Sequence, residues 1–256
     1  MSDLGKAARL HRILAGHTRR VVTVAVDHMI NYPVGFPQGL RNLAHVLARI
    51  VEGGADALTM NKGVAMRLMS PHAGRIPLII QSMALRPEDP IFADTATVEE
   101  VLGLGADAIA VAMFVYGDEE LAYIKHLSKV VREAEAFGLP VIPHIYPLSS
   151  GDERHTILHD PEHIHYAARV GFEMGSDIIK VPYTGDVASF RDIIADIPAP
   201  VVAAGGPRCD TLDEAMAMLR DIGQTGAVGV TMGRNVWGFD DIPQVIGQLK
   251  KAINEA

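Results

Sequence analysis

One stretch sets the fold: Gly175-Ser-Asp-Ile-Ile-Lys-Val-Pro-Tyr-Thr-Gly-Asp186, or GSDIIKVPYTGD. A small glycine turn opens it, and the run from Asp177 to Val181 that follows is apolar apart from its opening aspartate and Lys180. The same punctuation recurs along the chain. Gly54-Ala-Asp56 precedes ALTMN, Gly105-Ala-Asp107 precedes AIAVAM, and Gly226-Ala-Val228 precedes GVTMG. Glycine suits the left-handed position that ends a helix, and a short apolar run suits a strand covered on both faces. Each unit therefore reads as the close of a helix and the start of a parallel strand.

Eight such strands are expected, at residues 21–27, 56–61, 77–81, 107–113, 140–146, 177–182, 200–205 and 227–233. Helical patterns lie between them, among them residues 40–52, 118–137, 161–174, 211–222 and 241–254. Asp160 before Pro161 has the form of an N-cap with proline at the first helical position. Eight β units alternating with helices in 256 residues fit a single-domain (β/α)₈ TIM barrel spanning 1–256, with a short helical extension over about residues 1–20. An open doubly wound sheet is the alternative.

Composition narrows the function. Hydrophobic residues make up 48% and charged ones 21%, as in a globular chain with a sizeable core. A net charge of −8 argues against nucleic acid or a membrane surface as the partner. Cys209 is the only cysteine, so no intrachain disulfide forms. The first twenty residues scatter charges without a continuous apolar core, unlike a secretory signal. No apolar run reaches the ~20 residues of a bilayer span. A cytoplasmic protein is expected.

In a barrel, chemistry gathers where strands end and βα loops begin. There stand Asp27-His28, Asn61-Lys62, Gln81-Ser82, His144 with Tyr146, Lys180, Gly205-Gly206 and Gly233-Arg234. Lysine seldom lies in a core without a partner or a task. Burial favours the uncharged amine, and that form attacks carbonyl carbon. Lys180 is thus either a charge facing solvent or paired with Asp27, or an imine former; Lys62 is the rival amine. Asp27 either caps a loop or takes part in proton transfer beside the imine. Tyr146 can exchange a proton with a substrate hydroxyl, and His144, two residues earlier, shares its face of the strand. Glycines in the loops after strands 7 and 8, with Arg234, suit a phosphate group; Arg208 is a lesser helper. The run HTILHDPEHIHY (155–166) reads as a solvated loop, not a metal centre. A dinucleotide GxGxxG pattern and a nucleophile elbow are both absent from the sequence.

DIIKVPYTGD, with PAPVVAAGGPR and VTMGRNVW, resembles the class I Schiff-base aldolases of the DhnA type. That family includes archaeal-type fructose-bisphosphate aldolase, a 2-amino-3,7-dideoxyheptulosonate synthase and an autoinducer-2 phosphate thiolase. The resemblance implies Lys180 as the imine former, Tyr146 as acid/base, and Asp27 beside them. It places substrate contacts at His28, His144, Gly205, Gly206, Gly233 and Arg234. It implies a phosphorylated small-molecule substrate, no metal, no cofactor, and a ring-like homo-oligomer, possibly a decamer. The family usually has glycine where this chain has Met29, Arg-Gly where it has Leu148-Ser149, and, in the fructose-bisphosphate branch, often tryptophan at His144. The expected function is cleavage or formation of a carbon–carbon bond in a phosphorylated ketose or related ketone. Alternatives are a transaldolase-type synthase, a coenzyme A-dependent thiolase, and a regulatory barrel that only binds a phosphorylated ligand.

Overall fold

The computed structural model describes residues 3–14, 19–31, 36–87, 91–149 and 156–255. Its barrel strands are β1 (Val21–Ala25), β2 (Leu58–Asn61), β3 (Leu78–Gln81), β4 (Ala108–Val115), β5 (Val141–Pro147), β6 (Ile179–Pro182), β7 (Val201–Ala204) and β8 (Gly229–Met232). They close in the order β1-β8-β7-β6-β5-β4-β3-β2, all parallel. The closed barrel replaces the open-sheet alternative. Strand β4 runs two residues past its expected end because its register with β5 continues to Val115 opposite Pro147. A two-stranded ribbon, Met83–Ala84 against Ala93–Asp94, sits in the loop after β3.

The expected helices are present at Leu43–Glu52, Glu120–Glu135, Pro161–Glu173, Leu212–Gly223 and Ile242–Asn254. Asp160 does cap its helix, accepting from the His163 backbone N–H. The glycine turns are left-handed, with φ of 69° at Gly105 and 80° at Gly175, where a side chain would be strained.

The aspartates of those turns do more than the sequence pattern suggests. Asp56, Asp107 and Asp177 each accept a hydrogen bond from the backbone N–H that begins the preceding strand region, at Val22, Leu78 and Val141, over 2.8, 3.0 and 2.9 Å. The other carboxylate oxygen meets a cation. Asp56 meets Arg19 and Lys250 at 2.6 and 2.8 Å, Asp107 meets Arg12 at 2.6 Å, and Asp177 meets Lys6 at 3.1 Å. Lys6 and Arg12 belong to the helix Asp3–Ile13. Its apolar face, Leu10, Ile13 and then Leu14, packs against the inward residues Val21, Ala57, Ile79, Ala108, Ile142, Ile178 and Val202. This helix forms a floor across the N-terminal end of the barrel, so the interior opens at the other end.

These carboxylates satisfy buried backbone donors, so removing one leaves a donor unpaired. Asp107→Ala is expected to lower the unfolding free energy by about 1–3 kcal/mol in urea titrations. Arg12→Ala, whose side chain is half exposed, should cost under about 1 kcal/mol. Equal losses would show that the ion pair, not the backbone contact, is what matters.

Candidate active site

Side chains alternate along a strand, so every second residue of the barrel points inward. On β4 these are Ala108, Ala110 and Ala112, whose small side chains leave room for larger groups from β3 and β5. Gln81 ends β3 and is fully buried; His144 lies mid-β5 and is 4% exposed. Lys180 on β6 pairs directly with His144 in the register of β5 and β6, and is 6% exposed. Lys180 is therefore buried and does not face solvent.

The polar groups form a connected chain. Lys180 Nζ lies 3.5 Å from His144 Nδ1. Gln81 Nε2 lies 3.3 Å from that same Nδ1 and donates to Asp27 Oδ2 at 3.4 Å. The orientation of the Gln81 amide is fixed, because its Oε1 accepts from the backbone N–H groups of Met83 and Ala112 at 3.3 and 3.2 Å. An amide NH₂ only donates, so His144 Nδ1 must accept, and the ring proton sits on Nε2. Burial, then the nearby Lys180 and His28, hold the His144 pKa well below its ordinary 6.5. His28 Nδ1 is 3.5 Å from Asp27 Oδ1. Burial pushes His28 down to about 4, with Asp27 opposing and Lys180 and Arg234 adding to the fall.

Across the mouth, the loops after β7 and β8 meet. Gly206 adopts φ of +64°. A Cβ on Gly233 would stand 2.4 Å from His28 Cε1, so this close approach requires glycine. Arg234 Nη2 donates to the Gly206 carbonyl at 3.1 Å. Asn235, 1% exposed, clamps the glycine loop: its Nδ2 donates to the Gly205 and Pro207 carbonyls at 2.9 and 2.8 Å, and its Oδ1 accepts from Cys209 N–H at 2.7 Å. Trp237 Nε1 donates to the Ala25 carbonyl at 3.0 Å and its ring meets His28 edge-on at 5.2 Å, tying β8 to the end of β1.

Asp27, His28, His144, Tyr146, Lys180, Gly205, Gly206, Gly233 and Arg234 all line one cavity of about 650 Å³. Lys62 does not; it pairs with Glu100 at 2.6 Å. Arg208 also turns away, donating to the Gly238 carbonyl at 3.1 Å and lying over the Phe239 ring. The histidine run differs from a solvated loop. His159 lines the cavity and contacts the Tyr183 carbonyl at 3.1 Å, while His163 and His165 pair separately with Asp160 and Asp196. His155 lies outside the described residues. Among the described residues, no three His, Cys, Asp or Glu side chains are grouped to hold a metal. Asn235 was not expected at the site, and Gln81 was placed at its strand end without a role. Gln81 stood at a strand end in the sequence, but nothing there shows which partners its amide would reach.

A family model described as DeoC/LacD family aldolase matches residues 21–238. The chain belongs to that family. It is an aldolase, an enzyme of the lyase class, so the reading as a barrel that only binds a ligand falls away. Over 241 residues the aldolase is 33% identical to 2-amino-3,7-dideoxy-D-threo-hept-6-ulosonate synthase of Halobacterium salinarum, covering 93% of this chain and 87% of that one. It superimposes on an archaeal fructose 1,6-bisphosphate aldolase with a TM-score of 0.87 at 26% identity, covering 98% and 100% of the two chains. A second archaeal structure holds its catalytic lysine covalently bound to the carbinolamine intermediate; its TM-score is 0.86 at 25% identity, covering 97% and 99%.

Two histidines buried in neutral form make the aldolase acid-sensitive. Their folded pKa values lie below the unfolded one, so unfolding takes up protons as pH falls below about 6.5. Stability is full above that pH and declines towards about 4, where His28 itself titrates in the folded state. Urea midpoints should fall across this window, and His28→Gln should flatten the decline. At pH 6 the His144 ring should give the ¹⁵N NMR pattern of a neutral imidazole protonated on Nε2. A protonated ring there would contradict the geometry.

Proposed function

We propose that this aldolase works without a metal through a Schiff base on Lys180, acting on a phosphorylated ketose or a related ketone. One observation carries the reading: the Lys180 amine sits beside a hydrogen-bond acceptor, His144 Nδ1, in the cavity that Tyr146 and the glycine loops also line. The related structure with its lysine in a carbinolamine supports it.

The chain's groups divide the work. The substrate phosphate rests on the backbone of Gly205, Gly206 and Gly233 with Arg234, which holds the carbonyl in register with Lys180. The amine adds to the carbonyl carbon, and His144 accepts the proton that nitrogen releases. His144 returns that proton to the carbinolamine oxygen, a second proton from solvent lets the oxygen leave as water, and the resulting iminium draws electrons from the neighbouring carbon–carbon bond. Tyr146 takes the proton from the hydroxyl on the departing carbon, and that carbon leaves as an aldehyde. The remaining enamine is protonated and hydrolysed, freeing Lys180. Asp27, held by Gln81, supplies negative charge near the iminium. Passing the enamine to a second aldehyde instead would give a transaldolase-type synthesis, a variant supported by the Halobacterium salinarum relative.

A cytoplasmic role in carbohydrate metabolism and a ring-like homo-oligomer, up to a decamer, complete the proposal. Their support is the family resemblance; no helix among the described residues is long and apolar enough to cross a membrane. Light scattering on the eluting protein would read the assembly.

Incubation with dihydroxyacetone phosphate followed by borohydride should add the mass of the reduced adduct. Lys180→Met should abolish it and Lys62→Met should keep it; the reverse would mean the wrong amine. Tyr146→Phe should retain trapping while kcat for cleavage falls by roughly 10²–10⁴. Failure to trap any of a broad panel of phosphorylated ketones would overturn the proposal.

A further inference from the structure

The loop after β7 is turned by the residues after β8. Three successive carbonyls face that side. Asn235 Nδ2 donates to those of Gly205 and Pro207 at 2.9 and 2.8 Å, and Arg234 Nη2 donates to that of Gly206 at 3.1 Å. Asn235 Oδ1 takes the Cys209 N–H at 2.7 Å, so both ends of the amide are committed to this loop. Asn235 is 1% exposed and stands behind the loop, while Gly205, Gly206 and Pro207 line the cavity in front.

The directions of the backbone donors follow from these acceptors. In a trans peptide the N–H points opposite to the C=O. A Gly205 carbonyl drawn back onto Asn235 therefore sends the Gly206 N–H forward, towards the cavity. The donors on either side are not free for a ligand: Gly205 N–H meets the Thr231 carbonyl at 2.9 Å, and Pro207 has no N–H. Gly206 N–H has no acceptor among the described residues. Backbone preference alone does not give the loop this shape. Gly206 sits at φ of +64° directly before a proline, a place that favours extended backbone.

We propose that Asn235 is a positioning residue: it aims the Gly206 N–H at the substrate phosphate without itself touching the substrate. The inference rests on the reading of these loops as the phosphate anchor. A backbone N–H that meets an anion makes a strong, charge-assisted hydrogen bond. It does so here only while the carbonyl of the same peptide is held away. Without the Asn235 amide the Gly205 carbonyl loses its donor, and the peptide is free to turn its oxygen towards the anion, which it repels.

Borohydride trapping of the whole protein with dihydroxyacetone phosphate and with uncharged dihydroxyacetone tests this. In Asn235→Ala the dihydroxyacetone phosphate concentration for half-maximal trapping should rise roughly tenfold, while trapping of dihydroxyacetone stays within about twofold. Inorganic phosphate should protect the unmodified protein from trapping, and that protection should weaken by the same factor in the variant. Equal losses for both ketones, or an unchanged response to dihydroxyacetone phosphate, would overturn the role of Asn235. A second measurement needs no variant. Labelling glycine with ¹³C at the carbonyl and ¹⁵N at the amide singles out two peptides, Gly53–Gly54 and Gly205–Gly206. Inorganic phosphate should shift the Gly206 amide signal and leave that of Gly54 in place. An unmoved Gly206 signal, at phosphate levels that protect Lys180, overturns the inference even if Asn235→Ala does not fold. Absence of protection by phosphate, with both ketones trapped alike by the unmodified protein, overturns the phosphate anchor and this inference with it.

Discussion

A lysine amine placed inside a closed barrel needs an acceptor beside it, because burial makes the free ammonium costly. Here that acceptor is one ring nitrogen of His144, 3.5 Å away. Much of the site follows from keeping that nitrogen unprotonated. The β5–β6 register sets the two residues side by side. The alanine face of β4 gives Gln81 space to reach across, and two backbone N–H groups fix which end of its amide points at the ring. The same amide holds Asp27, so one side chain orders both the neutral and the anionic partner of the mouth.

The barrel separates what stabilises from what reacts. At its closed end, Asp107 and Asp177 tie strand starts to a helix that lies across the floor, and Asp56 ties another to Arg19 and Lys250. At its open end, the polar groups carry chemistry, and Asn235 and Trp237 hold loops rather than close a core. The two histidines buried at the mouth lower stability as the pH falls.

The strands were legible because each is an apolar run after a glycine turn, and Lys180 stood out as the one charge in such a run. Asp27, Tyr146 and the glycine loops were legible by their place at strand ends. Other features depend on distant partners. Asp107 sits in a visible repeat, yet its contacts with Leu78 and Arg12 span 29 and 95 residues. Gln81 shows its role through the directions of four contacts, which no local pattern encodes. The helix Val187–Asp196 lies in a stretch of mixed polarity, where the alternation of strands and helices calls for a helix but the local pattern does not mark its ends. Asn235 was hidden in the same way, as a common residue type whose amide satisfies two loop carbonyls and one N–H.

The most direct measurement is a crystal structure of the protein after reduction with bound dihydroxyacetone phosphate. A Schiff base on Lys180 predicts continuous density from Lys180 Nζ to the former carbonyl carbon, with the phosphate against Gly205, Gly206 and Arg234. Density joined to another lysine, or a phosphate lying at the Leu85 and Phe114 side, would contradict it.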